Sequence, residues 1–197
     1  MKWDLPIAIE INGKKHKIRN NCDYRVVLDV ITVLNDEELD EELRMECALF
    51  VFYDEFVIPE NINSELIKVF ETADNIHIAI TEMLKIINLG DEVKEEDNSP
   101  RLMDWEYDFT QLAPPISRVL GYSVRESNNY THWYDFIGAF NEIGESVFST
   151  IISIREKRTQ GKKLDDWEKD FYKKNKKIVD LPHNMTNEER EWLDSDW

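Results

Sequence analysis

The chain has 197 residues, of which 42% are hydrophobic and 11% aromatic, and a formal net charge of -17. That apolar content suffices for a packed core and excludes a wholly disordered chain, although 33% of the residues are charged. The negative balance excludes simple binding to nucleic-acid phosphates, which needs a basic footprint.

In chain order, Ile7, Ile9 and Ile11 alternate with Ala8 and Glu10, and Asn12-Gly13 follows. Alternation ended by Asn-Gly is the strongest local hairpin signal, because a type I′ turn needs positive φ at both positions. A two-stranded hairpin is predicted over about 5–19. Alone it is marginal in water, so it must pack on helices or pair with another copy's strand. Asp23 is placed to cap a helix whose face is Tyr24, Val27, Leu28, Ile31 and Leu34. The acidic run Asp36 to Glu42 opens a second helix with Leu39, Leu43, Cys47 and Phe50 on its apolar face, ending before Pro59. Ser64 is placed to cap a third, over 65–88. Its stripe of Leu66, Phe70, Ala73, His77, Ile80, Leu84 and Ile87 steps by fours and threes, a three-heptad seam with a partly buried His77.

The stretch Gly90 to Pro100 is acidic and almost free of apolar groups, which predicts a linker. Asp104 to Gln111 is helix-compatible, and Pro114-Pro115 is expected to interrupt it. A new helix then runs from Pro115 to Leu120, closed by Gly121. From Thr131 a long helical face carries Trp133, Phe136, Ile137, Phe140, Ile143, Val147, Ile151 and Ile154, with a break expected near 144–146 beside Gly144. A charged helix over 165–178 shows Trp167 and Phe171 on one side and stops before Pro182. The capping box Thr186-Asn187-Glu188-Glu189 opens a last short helix with Trp192 and Leu193. The expected fold is therefore mainly α with a small N-terminal β-hairpin, a helical bundle in two halves. Residues 1–89 hold the hairpin and first helices, 90–100 the linker, 101–160 the second helical half and 161–197 a charged helical tail.

No phosphate-binding glycine loop, nucleophile elbow, zinc-protease motif or calcium loop is present. Cys22 and Cys47 sit beside apolar residues and are expected to be free and buried. Met1 to Pro6 lacks an apolar run, so no signal peptide is expected, and no stretch is long and apolar enough to span a membrane. The densest chemistry is Thr131-His132-Trp133-Tyr134-Asp135-Phe136. His132 and Asp135 share a helix face, but neither a nucleophile nor a metal partner accompanies them, so catalysis is not expected. The expected roles are Thr131 as cap, Asp135 against the helix dipole, and Trp133, Phe136 and Phe140 as core anchors; His132, which can simply be exposed, and Tyr134 are assigned no role. No cofactor or metal is implied. Trp3, Trp167, Phe171 and Trp192 lie toward the ends, where a central core explains them less well, and are candidate partner-binding residues. Between Arg155 and Lys177, ten Lys/Arg face five Asp/Glu, a local excess of +5 on an acidic chain. That asymmetry fits a solvated helix face, or contact between copies or with an acidic partner.

These motifs together resemble a family of tailed-phage and prophage proteins of Gram-positive hosts, encoded among the tail genes. The resemblance rests on the Asn-Gly hairpin, Phe52-Tyr53 with Val57-Ile58-Pro59, Asp104 and Asp108, and Ile116 with Leu120-Gly121-Tyr122. Its most specific part is His132-Trp133-Tyr134-Asp135-Phe136, continued by Phe148, Ile152 and Arg155. Two positions depart from the pattern: Pro114-Pro115 where unbroken helix is expected, and His16 where the second strand usually carries an aromatic. The resemblance implies a non-catalytic tail-assembly chaperone in the host cytoplasm. Its partners would be the tape-measure protein, other tail-assembly proteins and further copies of itself, with no nucleic acid or membrane. Two other classes fit the composition. One is an acidic DNA mimic that inhibits a host nucleic-acid enzyme, and the other a structural component of the finished tail.

Overall fold

The computed structural model describes residues 4–56, 62–91 and 100–182, with the backbone alone at 62–64. Among them are one two-stranded antiparallel sheet and nine α-helices, the mainly α class with an N-terminal hairpin. Contacts sort the chain into two compact units, Met1–Glu96 with Ser127–Gly138, and Asp97–Glu126 with Ala139–Trp197. The 127–138 stretch thus belongs with the N-terminal unit and not with its neighbours in sequence. Trp3, Val57-Ile58-Pro59, most of the expected linker and the segment with the 186–189 capping box and Trp192 lie outside the described residues.

In the first unit, β1 (Ala8–Ile11) pairs with β2 (Lys14–Lys17) in the register Ile11↔Lys14. The two-residue loop Asn12-Gly13 has φ of 50° and 80°, the type I′ values that these residues tolerate. Ile9, Ile11 and, opposite Ile9, His16 turn inward, while Ile7 stays exposed. Four helices follow: α1 (Tyr24–Leu34), α2 (Glu41–Phe52), α3 (Ile62–Phe70) and α4 (Ala73–Ile87). The helix α1 packs on α2, α3 on α2 and α4, and α4 on α2 and β1. Side chains cap three of them: Asp23 accepts from the Arg25 amide at 3.0 Å, Asp40 from Leu43 at 2.9 Å and Thr72 from Asn75 at 3.2 Å.

The burial of these helices corrects the predicted stripes. Tyr24, Val26, Val27 and Val30 are buried on α1, whereas Leu28, Ile31 and Leu34 are only half-buried. On α2 the buried residues are Ala48, Leu49 and Phe52, and the predicted Leu43, Cys47 and Phe50 remain half-buried. The single helix expected over 65–88 is two. Glu71 takes φ of 71°, which ends α3, and Thr72 starts α4 in a new phase. The restart dissolves the heptad seam. Leu66 and Phe70 stay buried, but α4 buries Asn75, Ala79, Met83 and Ile86 and leaves Ala73 and His77 exposed.

The second unit is built on α5 (Trp105–Leu120), α7 (Val147–Thr159), α8 (Asp166–Lys174) and α9 (Lys176–Val179). The helix α6 (Trp133–Asn141) begins in the first unit and ends in the second. The expected interruption at Pro114-Pro115 does not occur, because α5 continues through both prolines. A proline inside a helix costs about 3 kcal/mol; here it is offset by burying Leu112, Ala113, Pro115 and Ile116 in one continuous stretch. Gly121, at φ of 79°, closes the helix by donating to Ser117 O at 2.9 Å. Gly144 at φ of 58° and a capping box between Ser146 and Ser149 separate α6 from α7, the break the sequence indicates. Val147, expected on the apolar face, is 55% exposed at the first position of α7. Ile151, Ile154 and Val179 form a core with Leu164, Phe171, Tyr172 and Ile178 packed around it. The expected 165–178 helix is divided at Asn175 into α8 and α9.

Candidate functional site

The motif-bearing stretch Thr131–Phe136 lies against the turn that precedes α1. Asn20, Asn21 and Cys22 take φ of 48°, 54° and 62°, three successive left-handed residues. For ordinary residues that conformation is disfavoured by about 1–2 kcal/mol each, so surrounding bonds must hold it. The second chain segment supplies them. Tyr24 N donates to Thr131 O and Trp133 N to Cys22 O, both at 2.9 Å. Asp23 Oδ2 accepts from Thr131 N at 3.2 Å, and Tyr130 Oη donates to Asn21 O at 2.8 Å. Arg25 bonds Asp23 and Asn129 O and lies over the Tyr24 ring. Arg19 donates to the carbonyls of Phe50, Val51, Tyr53 and Phe56, satisfying orphan acceptors at the end of α2.

His132, which the sequence left without a role, is fully buried. Its Nδ1 accepts from Tyr134 N at 3.1 Å, so the proton sits on Nε2, which donates to Pro6 O at 3.0 Å. The imidazole thus ties the lead-in of β1 to the start of α6, and both ring nitrogens are used by backbone groups. Asp135 is exposed on the first turn of α6. Trp133 is 2% exposed and donates Nε1–H to Ile87 O at 3.0 Å. Phe136 stacks on Tyr24 with centroids 4.2 Å apart. In the second unit, Phe140 contacts Trp105 at 5.3 Å and Phe148 at 6.1 Å. Burial pushes the Cys22 thiol up to about 12, the environment of an inert thiol and not of a nucleophile. Cys47, half-buried, is also free.

The second unit contains a polar centre whose pairing the sequence did not reveal. Arg155, 5% exposed on α7, meets the fully buried Asp108 of α5 through two bonds of 2.7 and 2.8 Å. Its remaining donors reach Leu102 O at 2.9 Å, Ile178 O at 3.0 Å and Val179 O at 2.6 Å. All five guanidinium N–H groups are therefore used. Asp108 also accepts from Asp104 N at 3.0 Å, and Asp104 in turn caps α5 through Tyr107 N at 2.8 Å. Asp104, Asp108 and Arg155 were each visible as motif residues. What was not visible was that they form one network, since 47 positions separate Asp108 from Arg155.

His16 is 1% exposed, with its ring 4.9 Å from Phe70 and 6.2 Å from Tyr53. Its Nδ1 lies 3.4 Å from Glu55 Oε1, yet has no hydrogen-bond partner among the described residues. Burial lowers its pKa, and the nearby Glu55 carboxylate opposes that shift only in part. The histidine therefore fills an aromatic's place among aromatics.

Of the candidate partner-binding residues, Trp167 is 59% exposed on α8, whereas Phe171 packs on the Ile151–Ile154–Val179 core. The basic 155–177 segment is partly consumed internally. Besides Arg155, Lys157 bonds the buried Glu168 at 2.7 and 2.8 Å and holds its carboxyl below the ordinary range, and Arg158 pairs with Asp180. Lys162, Lys163, Lys173 and Lys174 are exposed. A mainly apolar pocket of about 520 Å³ opens in the same unit, lined by Thr110, Gln111, Pro114, Pro115, Arg118 and Val147. Among the described residues no cluster of three His, Cys, Asp or Glu is arranged to hold a metal, and no helix is long and apolar enough to cross a membrane.

A family model described as "Bacteriophage Gp15 protein" matches residues 1–181. The matched span contains both the His132 cluster and the Asp108–Arg155 centre. No curated protein and no solved structure matches the chain.

Proposed function

Because the chain belongs to the Bacteriophage Gp15 protein family, we propose that it serves tail morphogenesis as a non-catalytic tail-assembly chaperone. In this reading it holds the tape-measure protein, a long helical ruler, in the host cytoplasm until tail-tube subunits replace it. Family membership over residues 1–181 carries the reading. The chemistry supports it, since His132, Asp108 and Arg155 spend their polar atoms on backbone and on each other, as parts of a scaffold do. The work then falls to surfaces. Ile67 on α3 and Ile78 on α4 are 46% and 38% exposed, suited to an amphipathic client helix. A net charge of -17 keeps an apolar client complex from aggregating.

The test is co-expression of the tagged chain with overlapping tape-measure fragments. Co-purification with at least one fragment, lost in the Ile67→Glu, Ile78→Glu double variant, is expected. Failure to capture any fragment would sink the reading. Purified virions should lack the chain; a stoichiometric amount there would favour a structural tail component instead.

A further inference from the structure

We infer that the segment 130–136 is an exchangeable clasp: the seat built for it by residues 6–87 takes the same segment from a second copy, joining two copies by domain exchange. The inference does not depend on the tape-measure reading. It begins with where the segment's partners lie. The polar groups of the seat are Pro6 O, Asn21 O, Cys22 O, Asp23 Oδ2, Tyr24 N and Ile87 O, each bonded to the segment at 2.8–3.2 Å. The Tyr24 ring stacks on Phe136. Every one of these partners precedes Gly90 in the chain. The chain on both sides of the segment, Asp97–Glu126 and Ala139–Trp197, belongs instead to the other unit. One connection, the acidic stretch from Gly90 to Pro100, thus separates the seat from its occupant in sequence. That arrangement permits exchange: every bond of the seat is kept when the stretch leads to a different molecule.

The seat selects its occupant. It asks for a tyrosine hydroxyl, an imidazole Nε2–H, an indole N–H and an extended backbone at 131, all within seven residues. A second copy offers each of them at the same spacing. An empty seat is costly, because Asn21 and Cys22 are held left-handed beside bonds that the clasp supplies. Trp133 and Phe136, 2% and 0% exposed, would be uncovered as well. Closed and exchanged forms share these contacts, so they differ in the connecting stretch and in the entropy of association. Concentration therefore decides between them. The covalent connection gives a chain's own clasp an effective concentration on the order of millimolar, which keeps a dilute folded chain closed. Chains that fold together at high concentration exchange, and return is slow because the clasp must first open. Reciprocal exchange is a closed two-fold arrangement, so growth stops at two copies. Backbone bonds and buried rings make the contact, so salt does not disperse it.

Full chains with one added cysteine each, Asn21→Cys or Tyr130→Cys, test this in a Cys47→Ser background that keeps the fully buried Cys22. Asn21 and Tyr130 are both exposed, and Tyr130 Oη reaches Asn21 O. The two variants are mixed in denaturant, refolded together at high concentration and treated with a short bismaleimide. A covalent dimer of one copy of each is expected at about tenfold or more over either variant refolded alone, because exchange sets residue 21 of one copy beside residue 130 of the other. Variants refolded separately when dilute, then mixed, should give no such product. Should either variant fail to fold, Arg25→Cys with Asn129→Cys, residues joined in wild type by a bond of 3.1 Å, repeats the experiment. Sedimentation velocity of wild type refolded at high concentration should show a dimer and nothing larger, persisting in high salt and for hours after dilution. The proposal is overturned by a wild type that stays monomeric after such refolding, by mixed cross-linking no greater than in the single-variant samples, or by a dimer that salt or dilution disperses at once.

Discussion

The two units are each held by a buried polar centre, and the centres are built from different currencies. In the first unit His132 uses neutral hydrogen bonds to backbone groups of Pro6 and Tyr134. In the second, Arg155 and Asp108 bring two opposite charges out of water and satisfy the guanidinium with three carbonyls as well. Both are saturated as they stand. They differ in what remains when one member is removed. Deleting a neutral partner leaves a dipole unpaired, whereas deleting a charged one leaves an ion buried without its counterion.

That difference sets the order of expected effects. Arg155→Met should cost about 3–5 kcal/mol, read as a lowered denaturation midpoint, because Asp108 is 0% exposed and is left without its partner. The comparison becomes sharp when both charges go. Asp108→Leu with Arg155→Met should recover most of the loss, since a buried pair replaced by well-packed apolar groups is often neutral. If the double variant is as unstable as the single one, the carbonyls of Leu102, Ile178 and Val179 need the guanidinium more than Asp108 does. Trp133→Ala should also cost about 3–5 kcal/mol, as the ring is 2% exposed and its N–H serves Ile87 O.

His132→Ala comes next, at about 1–3 kcal/mol for two orphaned backbone partners. From the sequence it would have been near-neutral. Native-state hydrogen exchange locates the damage: the Ile18 amide, which donates to Ile7 O just beyond Pro6, should exchange faster than in wild type. An unchanged rate would mean that Pro6 is held in place by something other than the imidazole.

Much of this fold was legible because local chemistry decided it. Asn12-Gly13 dictated its hairpin, Asp23 its cap, Gly121 its helix end and Gly144 its break. The failures share one cause, that tertiary packing overrode local preference. Pro114 and Pro115 stay helical because their neighbours are buried on both sides. The heptad seam was a coincidence of two helices in different phase, separated by a left-handed Glu71 that no periodicity count detects. The candidate site was half legible. Trp133 and Phe136 read as anchors from the sequence, but His132 has no role there. A lone histidine's burial depends on partners remote in sequence, here Pro6 at 126 positions away. The Asp108–Arg155 bond was hidden for the same reason.

The smallest expected effect is on the pH dependence of the first unit. His16 is buried among Phe70 and Tyr53, and burial lowers its pKa in the folded chain. The unfolded chain, with an ordinary imidazole titrating near 6.5, therefore binds its proton more readily. The resulting stability is complete above that value and is lost as the pH falls below it toward the folded pKa. The His16→Phe variant places an aromatic in an aromatic setting and removes the titration. Its unfolding free energy should stay flatter between about pH 6.5 and 5 than that of wild type, with equal slopes in urea. If the wild-type curve is already flat there, the Glu55 carboxylate 3.4 Å away compensates burial fully, and His16 behaves as an ion-paired residue and not as a substitute aromatic.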